Sequence, residues 1–207
     1  MSDGVNTAVG PLEWGVATRA LPGELQSGDL SLVKPNGQSV LVAVVDALGH
    51  GSDAASTARV AISALERYAA DPLPELLQRC HTALVGTRGV VLSLASFDTA
   101  RATVAWLGVG NVEGVLLSGD PGARPNRTSL VTRPGIVGGE VPPLQAWVLP
   151  LTSGDTLIFA TDGVRSGFTE KFSMSDSPQA QADRILARYA KDTDDALVMV
   201  VRYRGSS

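Results

Sequence analysis

Aspartates at four places in this chain stand where apolar segments meet turns. Asp29 opens an apolar stretch in "SGDLSLV", and Asp46 closes one in "LVAVVDALGHG". Asp162 closes another in "LIFATDGV", and Asp194 and Asp195 precede the last in "DDALVMVV". Any one of them is accounted for as a turn residue, because aspartate bonds nearby backbone N–H groups. Brought together at one end of a sheet, they would repel each other and resist desolvation, so such a cluster needs cations. The donors are all oxygens, with no cysteine or histidine pair, and hard ions, Mg²⁺ or Mn²⁺, are the expected match. Two such ions can activate a water and polarise phosphoryl oxygens, which is phosphate chemistry.

Other reactive side chains are few. His50, in "LGHG", has two readings: a group that donates a proton or orients water, or a structural cap at a helix start. His81 lies in a helical stretch and carries no expected role. Cys80, the single cysteine, sits in "LLQRCHTALV" and reads as a small buried hydrophobe rather than a nucleophile. Gly135, Gly138 and Gly139 in "RPGIVGGEVPP" read as part of an ordinary surface loop.

The elements that must position these residues follow from apolar patterning. Residues 12–21 read as a strand, and 29–47 as a hairpin turning at Pro35-Asn36-Gly37. The arm over 39–45 is almost wholly apolar, as in a central strand buried on both faces. Helices are expected over 52–70, capped by Ser52 or Asp53, and over 74–85. Strands follow at 90–97, 102–109 and 112–117, with "DTAR" and "GVGN" as the turns between them. Residues 119–143, rich in proline and glycine, read as a long loop. Strands at 144–151 and 155–163, a helix at 177–190 and a strand at 196–203 complete the chain. Strands joined by short turns imply antiparallel pairing, so the expected class is α+β, two packed sheets with helices outside.

The chain has 207 residues, the size of one domain, so a single domain over 1–207 is expected. Hydrophobic residues make up 44% and charged residues 18%, which excludes a disordered chain. The net charge of −4, with no block of lysine or arginine, argues against nucleic acid as a partner. The amino terminus has no basic segment followed by an apolar one, and no apolar run approaches a membrane span. Neither a membrane partner nor a disulfide is expected, and a reducing cytoplasm is the expected location.

"SGD", "VVDALGHGSDA", "GVGN", "ATDGV" and "DDALVMVV", in this order across residues 13–203, resemble the successive motifs of the PPM-type metal-dependent serine/threonine protein phosphatases. Within that family they resemble the small bacterial branch of SpoIIE-like and RsbX-like enzymes. The resemblance implies a four-layer αββα sandwich and a pair of Mn²⁺ or Mg²⁺ ions at one edge of the sheets. It assigns Asp46 as the bridge between the metals, with a backbone carbonyl from Ala47. Asp162 and either Asp194 or Asp195 are further ligands, Asp29 binds directly or through water, and Gly135, Gly138 and Gly139 fall where the family has a mobile segment near the site, the alternative to a plain surface loop. The implied activity is removal of phosphate from phosphoserine or phosphothreonine by attack of a metal-activated water. The implied substrates are phosphorylated STAS-type stressosome proteins, RsbS/RsbR-like, met by a monomeric enzyme.

Three departures stand out. Most relatives carry glycine after the bridging aspartate, where this chain has Ala47, and a methyl narrows the allowed geometry. "PGELQSGD" lacks the phosphate-gripping arginine of many eukaryotic members, and Arg19, farther upstream, does not take its place, so phosphate binding would rest mostly on the metals. The histidine of those members lies two places after the bridging aspartate, whereas His50 lies four places after Asp46. The competing reading is a catalytically weak or inactive phosphatase-fold module that binds phosphoproteins in a bacterial signalling pathway. A phosphohydrolase with an aspartate nucleophile would need a "DxDx" strand end and a parallel sheet, and neither is apparent.

Overall fold

The computed structural model describes residues 8–170 and 172–205. Its elements run β1 (Ala8–Val9), β2 (Leu12–Arg19), β3 (Asp29–Asn36), β4 (Ser39–Ala47), α1 (Gly51–Arg67), α2 (Leu73–Leu84), β5 (Val90–Asp98), β6 (Thr103–Val109) and β7 (Glu113–Leu117). They continue with β8 (Arg127–Leu130), β9 (Trp147–Pro150), β10 (Thr156–Ala160), α3 (Pro178–Tyr189) and β11 (Ala196–Tyr203). The strands form two sheets, one in the order β1-β2-β11-β10-β7-β8 and the other β3-β4-β5-β6-β9. All strand pairs are antiparallel.

Strand β4 shows why two sheets and outer helices are required. Val40, Val42 and Val44 alternate with Leu41, Ala43 and Val45, and both sets are buried. The first set joins Phe97, Trp106, Phe159, Met199 and Val201 in the core between the sheets. The second set joins Ala54, Ala58, Ala61, Leu65, Leu76 and Leu77 beneath α1 and α2. A third core lies under α3, where Ala182 and Ile185 meet Ile158, Val198 and Val200. The layers are helices, sheet, sheet, helix: the αββα sandwich anticipated from the sequence. Each fully buried leucine contributes about 1.5–3 kcal/mol relative to exposure, and three such interfaces share the load.

The structure alters several local expectations. Helix α1 starts at Gly51, and its N-cap is His50 rather than Ser52 or Asp53. The supposed loop over 119–143 contains β8, which pairs with β7 in the register Gly114↔Leu130 to Leu117↔Arg127. Farther on, Val137 pairs with Val90 and Arg133 with Val109 as isolated bridges. "GVGN" is no hairpin turn within one sheet: β6 belongs to the five-stranded sheet and β7 to the six-stranded one. Gly110, at φ +94, makes this crossing possible, because a Cβ there would run into the Val91 side chain. No helix among the described residues is long and apolar enough to cross a membrane.

Candidate metal centre

The hairpin register sets the first pair of carboxylates. Asp29 and Asp46 are directly opposed across β3 and β4. Opposed residues in an antiparallel pair have Cβ atoms about 4.5–5.5 Å apart, and like charges there repel. Asp29 is 3% exposed and Asp46 is half-buried. Burial, above all, pushes Asp46 up to about 8, with Asp29, Asp162, Asp194 and Asp195 adding to the shift. Burial likewise pushes Asp29 up to about 7, opposed by a hydrogen bond from Thr161 and assisted by the neighbouring carboxylates.

The six-stranded sheet delivers the rest. Strands β10 and β11 are neighbours, so the turn after β10 and the turn before β11 meet at one end. Thr161 couples the two sheets: its Oγ1 donates to Asp29 Oδ2 at 2.7 Å and accepts from the Leu197 N–H at 2.9 Å. Asp162 accepts from Asn111 Nδ2 at 2.8 Å. Asp194 is half-buried, and desolvation raises its pKa, partly offset by the hydrogen bond it accepts from the Asp195 N–H. Asp195 is turned away from solvent. Its Oδ1 accepts from the Leu21 N–H at 2.7 Å and its Oδ2 from the Gly28 N–H at 2.6 Å. Asp195 thereby ties the connection between β2 and β3 to the start of β11.

Ala47 ends β4 in ordinary strand backbone, and its side chain is buried in the core beneath α1. The only positive φ at a non-glycine position among the described residues belongs to Ala102, so the Ala47 methyl imposes no strain of that kind. The close approach falls on Gly28 instead. A Cβ at Gly28 would stand 2.8 Å from the Ala54 Cβ and 3.4 Å from Asp195 Oδ2.

His50 holds the N-cap position of α1, but its side chain caps nothing. Its Nδ1 lies 2.7 Å from Glu24 Oε1 with the ring about half exposed, so the cap reading is replaced by a pairing across the rim. The ring is close enough to Asp194 to favour that carboxylate's charged form. Arg19 is engaged elsewhere, bonding the Lys191 carbonyl and Asp192 Oδ1. His81, expected to be plain, accepts from the Gly138 N–H at 3.1 Å. With the Val90–Val137 bridge, that bond pins the glycine-bearing segment 135–139 against α2 and β5. Cys80 is fully buried, and desolvation pushes its thiol up to about 12, which leaves it inert.

The donor chemistry fits hard divalent cations. The other four carboxylates all lie within electrostatic reach of Asp46, and none of the five is ion-paired to lysine, arginine or histidine among the described residues. Lys191 Nζ donates to the Asp162 backbone carbonyl and not to its carboxylate. Still, no three Asp, Glu, His or Cys side chains among the described residues converge on a single point. The hydrogen bonds explain this: Thr161 holds Asp29, Asn111 holds Asp162 and two backbone amides hold Asp195. Thr161 and Asn111 lie within the "ATDGV" and "GVGN" motifs, but nothing in their spacing marks them as partners of Asp29 and Asp162.

Comparison with known proteins agrees with this geometry. The family described as Stage II sporulation protein E (SpoIIE) matches residues 36–204. Over 139 residues the chain is 26% identical to the phosphoserine phosphatase RsbX of Bacillus subtilis (strain 168), covering 66% of this chain and 67% of the relative. A solved structure from work on the bacterial stressosome, as a modular system adapted to control secondary messenger signalling, superposes with a TM-score of 0.83 at 30% identity, covering 92% of this chain and 99% of that one. RsbX in complex with magnesium superposes with a TM-score of 0.81 at 21% identity, covering 92% of this chain and 94% of that one. With two antiparallel sheets between outer helices and a family match over most of its length, the chain belongs to the SpoIIE family and has the PP2C-type phosphatase fold.

Proposed function

We propose that this chain, as a single domain over 1–207, removes phosphate from phosphoserine or phosphothreonine in protein substrates with the help of two Mn²⁺ or Mg²⁺ ions. The observation that carries the reading is the opposed pair Asp29, buried, and Asp46, half-buried, with three further aspartates around it and no ion pair to a cationic side chain among the described residues. Asp46, Asp29, Asp162, Asp194 and the Ala47 carbonyl would hold the ions, and Asp46 would be shared between them. Ions of this kind lower the pKa of water and polarise phosphoryl oxygens. The chain's own groups set the geometry. Thr161 keeps one oxygen of Asp29 engaged and leaves the other for a ligand. Asn111 does the same for Asp162. Asp195 acts as a clamp rather than a ligand, since both its oxygens serve backbone amides. His50, on the rim beside Glu24, is the candidate donor of a proton to the leaving seryl or threonyl oxygen.

Phosphorylated STAS-type stressosome proteins, RsbS/RsbR-like, are the substrates we favour, on the strength of the likeness to RsbX and to a stressosome structure. A cytoplasmic monomer is part of the same reading. The test is Mn²⁺-dependent release of phosphate from a phosphorylated STAS protein, with Asp46→Asn alongside. Turnover should fall at least on the order of 10²-fold in the variant. Unchanged turnover would sink the mechanism. The unconverged carboxylates favour a second reading, a module that binds phosphoproteins without cleaving them. Calorimetric titration with Mn²⁺ separates the two, because a binder that has lost the site takes up no metal.

A further inference from the structure

The core between the sheets is open along one side. Its outermost strands there are β8 and β9, four residues each, and each pairs with one neighbour only. Between them runs a groove of about 480 Å³ lined by Trp106, Leu130, Val131, Arg133, Trp147 and Leu149, among others. Trp106 and Trp147 are cross-strand partners, the first buried and the second 51% exposed. Trp106 belongs to the inter-sheet core and Leu130 and Leu149 pack against it, so the groove opens onto the edge of that core. Val131 is 74% exposed at one lip. A continuous apolar surface framed by two strand edges suits an extended chain, which would add main-chain hydrogen bonds to side-chain burial.

Charge selects the occupant. Residues 121–139 contain Arg124, Arg127 and Arg133 and no acidic residue, in a chain whose net charge is −4. Arg127 and Arg133 are exposed and form no ion pair among the described residues. Strands β6 and β9 contribute no charge of either sign. No acidic residue is among those lining the groove; Glu113 at the start of β7, Asp120 before β8 and Glu140 after the arginine-bearing stretch flank it, and Asp120 Oδ1 is taken by the Gly122 N–H. From these observations we infer that the groove between β8 and β9 is a docking site for an extended, acidic and apolar segment of a protein partner. The Arg133 backbone joins the segment that leads into Asn111: its carbonyl accepts from the Gly110 N–H and its N–H donates to the Gly108 carbonyl, and Asn111 bonds Asp162.

The test is made on the metal-free protein and needs no turnover, so it stands or falls separately from the phosphatase reading. A short blocked peptide alternating leucine with glutamate is titrated calorimetrically, beside its leucine–lysine counterpart. The glutamate peptide should bind, more weakly as salt rises, and the lysine peptide should bind roughly tenfold or more weakly. Trp147→Ala and the double variant Arg127→Glu/Arg133→Glu should each weaken glutamate-peptide binding by about tenfold or more. The double variant changes only exposed charges and keeps the test meaningful if Trp147→Ala fails to fold. The inference is overturned by no binding at millimolar peptide, by equal binding of the two peptides, or by a folded double variant that binds like the parent. It is also overturned if light scattering shows a dimer that Trp147→Ala dissolves, which would make a second copy the occupant.

Discussion

Asp194 and Asp195 are adjacent and chemically identical, yet the structure gives them opposite surroundings. Asp195 accepts two backbone N–H groups, each about 170 positions away in the chain, and among the described residues Asp194 bonds only its neighbour's amide. Asp195→Asn would set an amide NH₂ against one of those N–H donors. The expected cost is about 1–3 kcal/mol, read as a lower melting temperature of the metal-free protein. Asp194→Asn removes a carboxylate whose charge is disfavoured by burial and by its neighbours. Metal-free stability should then hold or rise, while calorimetric Mn²⁺ affinity falls by at least about tenfold. If Asp195→Asn loses metal affinity at unchanged stability, the two roles are reversed. The sequence presents both residues as equivalent, because the amides that occupy Asp195 belong to a connection joined to it only by the fold. Thr161 and Asn111 escape notice for the same reason. Asp29, Asp46 and Asp162 are legible because each ends or begins a long apolar run, a local signal.

The elements bring these residues together through register and close approach. A one-residue slip between β3 and β4 would turn Asp46 to the other face and separate it from Asp29. Between β10 and β11 the limiting contact is Gly163, where a Cβ would run into the Asp195 carbonyl oxygen. Gly163→Ala must therefore push the turn after β10 away from the start of β11. We expect a loss of about 1–3 kcal/mol or more in chemical denaturation, together with weaker Mn²⁺ binding, because Asp162 and Asp194 ride on the displaced segments. Full stability with intact metal binding would show that the two turns are not coupled. Most strands were legible as apolar runs bounded by turns, and β4 as a run buried on both faces. Strand β8 was not, since "RTSL" is short, half-buried and hemmed by prolines, and it becomes a strand only by pairing with β7. The crossing from β6 to β7 was hidden too: a short glycine turn reads the same whether the next strand stays in the sheet or leaves it.

Across the whole molecule, three apolar cores hold both sheets in place, and the cost of that rigidity falls on the carboxylates at their shared end. Asp29 and Asp46 are raised from 3.8 to about 7 and about 8, chiefly by burial. Between the unfolded value and these folded values the native protein binds more protons than the unfolded chain. Metal-free stability must therefore fall as pH rises through that window, with the full benefit of protonation present only below the unfolded value. Divalent ions and protons compete for the same oxygens, so added Mn²⁺ should stabilise strongly above the window and little below it. Scanning calorimetry at pH about 5 and about 9, with chelator and with Mn²⁺, reads both effects. Asp46→Asn supplies the control for every other titrating group, because it removes one raised carboxylate and leaves the rest of the surface charge alone. Its metal-free melting temperature should depend less on pH than that of the parent and should respond less to Mn²⁺. An identical pH slope in the variant, or equal Mn²⁺ stabilisation at both pH values, would mean that the cluster neither stores this repulsion nor relieves it with metal.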